Sequence, residues 1–184
     1  MNYYRNILTL IGLGILSVGS ILEAEAMDVL ENPILEINRI HNAIKIDGDL
    51  TELEWGQATG TNYFVEIDPG ENIIPAEKTE VKVAYDDQNL YVAFWVYGDP
   101  KDIRASYQNR DQAWMDDWVA IFLDTYGDAN TGTMIGSNPY GIQMDALNNG
   151  NGDDDPSFDL VYESKGKITD NGYQVEMAIP FSSL

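Results

Sequence analysis

The stretch VKVAYDDQNLYVAFWVY, residues 81–97, constrains the fold of this chain more than any other. Two runs of β-branched and aromatic residues flank Asp86-Asp87-Gln88-Asn89, a set of turn formers, and such a pattern makes a hairpin. The second arm, residues 90–97, is apolar on both of its faces. A strand of that kind belongs in the middle of a sheet with a layer packed on each side.

Other segments carry the same strand signal. Residues 118–124 (WVAIFLD), 133–138 (TMIGSN), 141–147 (GIQMDAL) and 158–164 (FDLVYES) read as short strands. Within residues 166–181, Asp170-Asn171-Gly172 suits the positive φ angles of a tight hairpin turn. Tyr173, Val175, Met177 and Ile179 then alternate with Gln174, Glu176 and Ala178 until Pro180, which lacks a donor and ends the ladder. Helical signal is confined to two short turns. One lies in 48–58, with Asp49 or Thr51 as its cap and Glu54 three residues after Thr51; the other lies in 99–106. Seven to nine short strands separated by turn formers predict an all-β fold, an antiparallel β-sandwich of the jelly-roll or immunoglobulin-like kind. Nothing alternates β with α, which excludes a doubly wound nucleotide-binding fold.

The first 26 residues stand apart from that pattern. One cation, Arg5, precedes an apolar stretch from Ile7 to Leu22 and the small-residue exit Ala24-Glu25-Ala26. That is the layout of a secretory signal peptide, and the stretch is short of the about 20 residues a membrane helix needs. We therefore expect an exported protein of periplasm, outer membrane or extracellular space, with a signal peptide at 1–26, a lead-in at 27–39 and a sandwich domain at 40–184. The absence of cysteine excludes both a lipoprotein anchor and disulfides.

A net charge of −21 argues against nucleic acid or an anionic membrane surface as partner. Nucleophilic catalysis finds no support: His41 is the only histidine, there is no cysteine, and no nucleophile elbow occurs. Carboxylates are too numerous for their presence to point to a glycosidase pair, so no catalytic residue is assigned. Calcium fits the composition better, because it takes oxygen ligands. Asp124, Asp128 and Asn130 lie in the turn-rich DTYGDANTG, and Asp153 and Asp155 lie in NGNGDDDPSFD; these five are the metal candidates. Transition-metal ligands are nearly absent.

Aromatics offer a further chemistry, since a tryptophan covers the apolar face of a sugar ring while polar side chains meet its hydroxyls. Trp95 lies in an apolar strand and Trp55 closes a short turn, so both read as core. Trp114 stands among polar residues ahead of a strand and is the best exposed candidate. Trp118 could face either way, and Tyr63, Tyr126 and Tyr140 are secondary.

Several stretches taken in order resemble family 9 carbohydrate-binding modules. IKIDGDLTELEWGQA (44–58) is similar to the opening of that family, where an I-D-G strand leads to a tryptophan and an alanine. The hairpin 79–100, then DDWVAIFLD (116–124), SNPYGIQMDA (137–146) and DNGYQVEMAIPFSSL (170–184), continue the match. A similar variant stands at the N-terminus of exported bacterial proteins in which a C-terminal region expected to form a membrane β-barrel usually follows. The resemblance implies a β-sandwich, a carbohydrate partner, calcium in some members, and a sugar held between two tryptophans. It places Trp114 in that role, with Arg110, Asp111, Asp117, Asn138 and Gln143 as hydroxyl contacts and Tyr140 beside them. A second exposed tryptophan in a later loop is missing, and relatives run on beyond Leu184, so a truncated domain within a longer protein is expected.

The expected function is an exported, non-catalytic carbohydrate-binding module that attaches a larger protein to glycan within polysaccharide catabolism. Two alternatives come from other classes: a plug or structural domain of an outer-membrane barrel, and the accessory part of a glycoside hydrolase.

Overall fold

A computed structural model describes residues 34–70, 73–148, 154–155 and 157–184. The expected signal peptide at 1–26, residues 27–33 of the lead-in, and Asp153 lie outside the described residues. The elements follow in chain order: β1 (Asn38–Arg39), α1 (Leu53–Gln57), β2 (Thr59–Thr61), β3 (Thr79–Tyr85), β4 (Asn89–Tyr97), β5 (Val119–Leu123), β6 (Gly132–Ser137), β7 (Gln143–Asn148), β8 (Asp154–Asp155), β9 (Glu163–Thr169) and β10 (Gly172–Pro180). Residues 181–183 add one short 3-10 turn.

The hairpin of β3 and β4 lies at the heart of the larger sheet, ordered β1-β3-β4-β10-β9 with β2 also on the β3 edge. Val92 and Phe94 of β4 point into the main core, with Val175, Met177 and Ile179 of β10 and Ile135 of the second sheet. Tyr91 and Ala93 point the other way, against Ile40, Ile44 and Trp55 of the segment that leads into and forms α1. Both faces of β4 are therefore covered, as its composition demands. The second sheet, β5-β6-β7-β8, is antiparallel and closes the sandwich over the first.

Local structure departs from the sequence reading in a few places. The domain begins before residue 40, because Asn38 and Arg39 pair in parallel with Ala84 and Tyr85 and bury Ile40. The cap of α1 is Glu52, without a side-chain bond, rather than Asp49 or Thr51; the Asp49 carboxylate pairs with Lys167 instead. Residues 99–106 make only a turn, closed by the Asp102 amide on the Asp99 carbonyl at 3.0 Å. Residues 158–162 are irregular, with β9 starting at Glu163, although Leu160 and Tyr162 are buried. Side chains satisfy the backbone there. The Leu160 amide donates to Asp145, its carbonyl accepts from Arg110 at 2.6 Å, and the Tyr162 carbonyl accepts from Gln143 at 2.6 Å. A buried segment with its polar groups so paired needs no ladder.

The β9–β10 turn is a two-residue loop of Asp170 and Asn171, and the positive φ falls on Gly172 alone, at 141°. A β-carbon at Gly172 would stand 1.9 Å from the Val96 carbonyl oxygen, so the neighbouring strand leaves no room for a side chain. Gly172→Ala is expected to cost about 2 kcal/mol or more, read as a lower urea midpoint with unchanged slope.

Glu176 is the one acid wholly buried in β10. Its Oε1 accepts the amides of Asp47 and Gly48, and the neighbouring Gln174 donates to the Gly48 carbonyl at 2.6 Å. The Ile46-Asp47-Gly48 turn is thereby tied to the outer face of the larger sheet. Burial raises the Glu176 pKa to about 7 from 4.5, the bonds from Gly48 and Asp47 oppose that rise, and the nearby Glu52 and Asp47 charges add to it. A carboxyl with a raised folded-state pKa is most favourable to folding when protonated. Its contribution is full below about pH 4.5 and falls as pH rises through about 7. Glu176→Gln is expected to flatten that part of the melting-temperature profile, which thermal melts from pH 4 to 8 would test; parallel profiles for the two proteins would contradict it.

Candidate functional site

The connection between β4 and β5, residues 98–118, supplies most of the polar side chains at one end of the second sheet. Arg110 is its hub. Its guanidinium binds the fully buried Asp145 of β7, donates to Gln143 Oε1 at 2.7 Å, and reaches Asp159 at 3.1 Å and Asp111 at 3.5 Å. It also lies 5.4 Å from the centroid of the Tyr162 ring. Asp111 takes a positive φ of 60°, held by its amide on the Gln143 carbonyl and by its carboxylate on the Asp145 amide. Burial pushes the Asp145 carboxyl upward, while the Leu160 amide and Arg110 pull it down.

Asn138 is fully buried and ties two loops together. Its amide group donates to the Ser106 carbonyl and to Asp116, and its oxygen accepts the amides of Tyr140 and Ile142. Asp116 also accepts both the amide and the hydroxyl of Ser106. Bonds from Asn138 and Ser106 hold its pKa below the usual value against a substantial burial penalty. Tyr140 stacks on the exposed Tyr107, with ring centroids 4.2 Å apart and planes 1° from parallel.

The tryptophans lie on the outer face of the second sheet. Register puts Phe122, Met134 and Ala146 in one row and Ala120, Gly136 and Met144 in the next. Trp114 packs half-buried onto the Met134, Met144 and Ala146 floor. Trp118 meets it edge to face, with centroids 6.3 Å apart and planes at 81°. Trp118 remains 40% exposed and Phe122 64% exposed. Trp118 also lines a groove of about 470 Å³ at the mouth between the sheets, with Tyr97, Asp117 and Tyr173. Asp117 accepts the Arg104 amide there at 3.0 Å.

The sequence-derived residues thus fall into separate settings. Arg110, Asp111 and Gln143 belong to one ion-pair network, Asn138 to a buried clamp, Tyr140 to a tyrosine stack, Trp114 to a satellite core, and Asp117 to the groove. Sequence reasoning missed Asp145, Tyr97 and Tyr173, saw Asp159 only as part of an acidic cluster, and left Trp118 undecided. Asp145 had a signal: it shares an inward face of β7 with Gln143, and an acid there demands a cation.

The acidic loops bond to their own backbone. Asp124 accepts the amides of Gly127, Asp128 and Ala129, and Asp128 accepts those of Asn130 and Thr131. Asp155 accepts the amide and hydroxyl of Ser157. These carboxylates each accept amides of their own loops. Asp111, Asp145 and Asp159 form the one acid trio close enough to share an ion among the described residues. Arg110 pairs with all three.

A two-sheet β-sandwich with tryptophans and acids at one end of the smaller sheet is the architecture of a ligand-binding module. Residues 46–184 match the family described as carbohydrate family 9 binding domain-like, and the chain belongs to that family. Two solved structures of a family 9 carbohydrate-binding module from Caldicellulosiruptor kristjanssonii are similar to it. The complex with cellotriose has a TM-score of 0.55 at 23% identity over 79% of this chain and 67% of that one. The complex with glucose has a TM-score of 0.53 at 22% identity, covering 79% and 69%. A protein of Bacteroides uniformis proposed to bind carbohydrate aligns with a TM-score of 0.60 at 13% identity, over 80% and 72%. Among curated protein sequences, none matches the chain.

Arg110→Met would leave Asp145 buried without its cation. We expect a loss of about 3–5 kcal/mol in chemical denaturation, the usual cost of breaking one side of a buried pair. Asp145→Asn in the same chain should recover part of it.

Proposed function

We propose that this chain is a non-catalytic carbohydrate-binding module, exported and attaching a larger protein to glycan during polysaccharide breakdown. The observation that carries the proposal is the Trp114–Trp118 pair, which presents an open indole edge-braced by a second one. A braced ring loses little freedom when a sugar stacks on it, so the apolar gain is not spent on ordering. Asp117 beside Trp118 supplies acceptors for ring hydroxyls. Family membership supports the ligand class, and the cellotriose and glucose complexes of the similar module make glucans the first ligands to try. Catalysis has no part in the proposal, which rests on membership of a family of binding domains.

Isothermal titration against cello-, xylo- and manno-oligosaccharides tests it. Binding in the micromolar to millimolar range is expected, weakened about tenfold or more by Trp118→Ala, since one stacked ring is worth about 1–2 kcal/mol. No heat with any of these sugars would end the carbohydrate proposal. Calcium enters only at the 124–131 loop, where Asp124, Asp128 and Asn130 would be its ligands. Excess chelator should then lower the melting temperature, as any ligand bound only to the folded state stabilises it. An unchanged melt removes calcium from the proposal. A barrel following residue 184 is a further part of the proposal, and the downstream coding sequence decides it.

A further inference from the structure

The groove between the two sheets has walls of a distinct kind. Its lining carries five carboxylates, from Glu77, Asp99, Asp102, Asp116 and Asp117, and no lysine, arginine or histidine. Tyr97 and the exposed Trp118 supply its aromatic faces. Tyr173 is 6% exposed and its hydroxyl has no hydrogen-bond partner among the described residues. That ring packs in the main core and also lines the groove, where it feels the Asp117 charge. A hydroxyl that opens from a buried ring into a cleft is free to bond a ligand there.

The carboxylates do not converge on a point. Among the described residues only Asp111, Asp145 and Asp159 lie close enough together to share a metal ion, and none of them lines this groove. Asp116 is bound to Ser106 and Asn138, whereas the Glu77 and Asp102 side chains pair with no cation among the described residues. Carboxylates spread around an aromatic cleft suit a cation carried on an apolar ring better than a bare ion. Lys78, at 5.2 Å from the centroid of the Tyr97 ring, already shows a cation using that aromatic.

We infer that this groove binds a saccharide bearing a free ammonium, an amino sugar, with the negative field of Glu77, Asp102 and Asp117 drawing the ammonium, Trp118 and Tyr97 facing the ring, and the Tyr173 hydroxyl meeting a sugar hydroxyl. The inference rests on the carbohydrate-binding proposal and narrows its ligand class. N-acetylation would remove the charge, and a uronate would be repelled by the same acids.

Titration of the full chain at about pH 6, where carboxylates are ionised and the sugar amine is protonated, compares three ligands. They are glucosamine oligomers, N-acetylglucosamine oligomers and cello-oligomers of equal length. The glucosamine oligomer is expected to bind about tenfold tighter than the other two, the value of one charge-assisted contact. Glu77→Gln and, separately, Asp117→Asn should bring that ratio toward one. Asp87→Asn removes the same charge from the turn at the far end of β4 and should leave the ratio unchanged, which separates the groove from the general negative charge of the protein. Equal affinity for all three sugars overturns the inference and leaves the carbohydrate proposal standing. No binding of any sugar overturns both. Oligolysine binding as tightly as the glucosamine oligomer, with no neutral sugar bound, would assign the groove to a basic peptide and overturn the amino-sugar inference.

Discussion

The buried pairing of Arg110 with Asp145 is the constraint on which this end of the molecule depends. An ionised carboxylate inside a sandwich core has to be neutralised where it sits, and one guanidinium does so while also holding Gln143, Asp111, Asp159 and the Leu160 carbonyl. Those contacts explain why residues 158–162 cross the sheet mouth without strand pairing, and why Asp111 sits at a positive φ. They also set the path of the chain from Arg110 to the tryptophans. Trp114 lies four residues beyond the hub and Trp118 four beyond that, on the same connection between β4 and β5.

A second tether acts on the opposite face of the larger sheet. Glu176 and Gln174 grip the Asp47–Gly48 turn through its amides and carbonyl, and the segment so held lays Ile44 and Trp55 over β4. The two tethers have opposite electrostatic character. Arg110 compensates a buried acid with a charge; Glu176 is compensated only by backbone dipoles, which is why burial dominates its titration.

The sheets were legible because their information is periodic. The alternation in 172–180 and the two-sided apolarity of 90–97 each specify a strand and its setting without reference to anything distant. The ordered I-D-G, hairpin and D-D-W-V motifs carried the family for the same reason. The candidate site was legible only in part. The sequence marked Arg110, Asp111 and Gln143 as polar and available, yet their partners, Asp145 and Asp159, lie 35 and 49 residues away from Arg110. A side chain's commitment to such a partner leaves no local trace. Trp118 stayed undecided because it precedes the first paired residue of β5, where alternation has not yet begun. Tyr97 and Tyr173 look like strand residues, and only the meeting of two sheet ends makes them the wall of a groove.

Carboxylates at Asp124, Asp128 and Asp155 each accept amides of their own loops. The groove acids differ in where they stand. Glu77 precedes β3, Asp99 and Asp102 follow β4, and Asp116 and Asp117 precede β5, so three separate chain segments deliver negative charge to one cleft. Like charges brought together by folding cost free energy that scattered placement would avoid. Such a cost beside two aromatic faces would be offset if a positively charged guest entered the cleft, and that is the physical content of the amino-sugar inference.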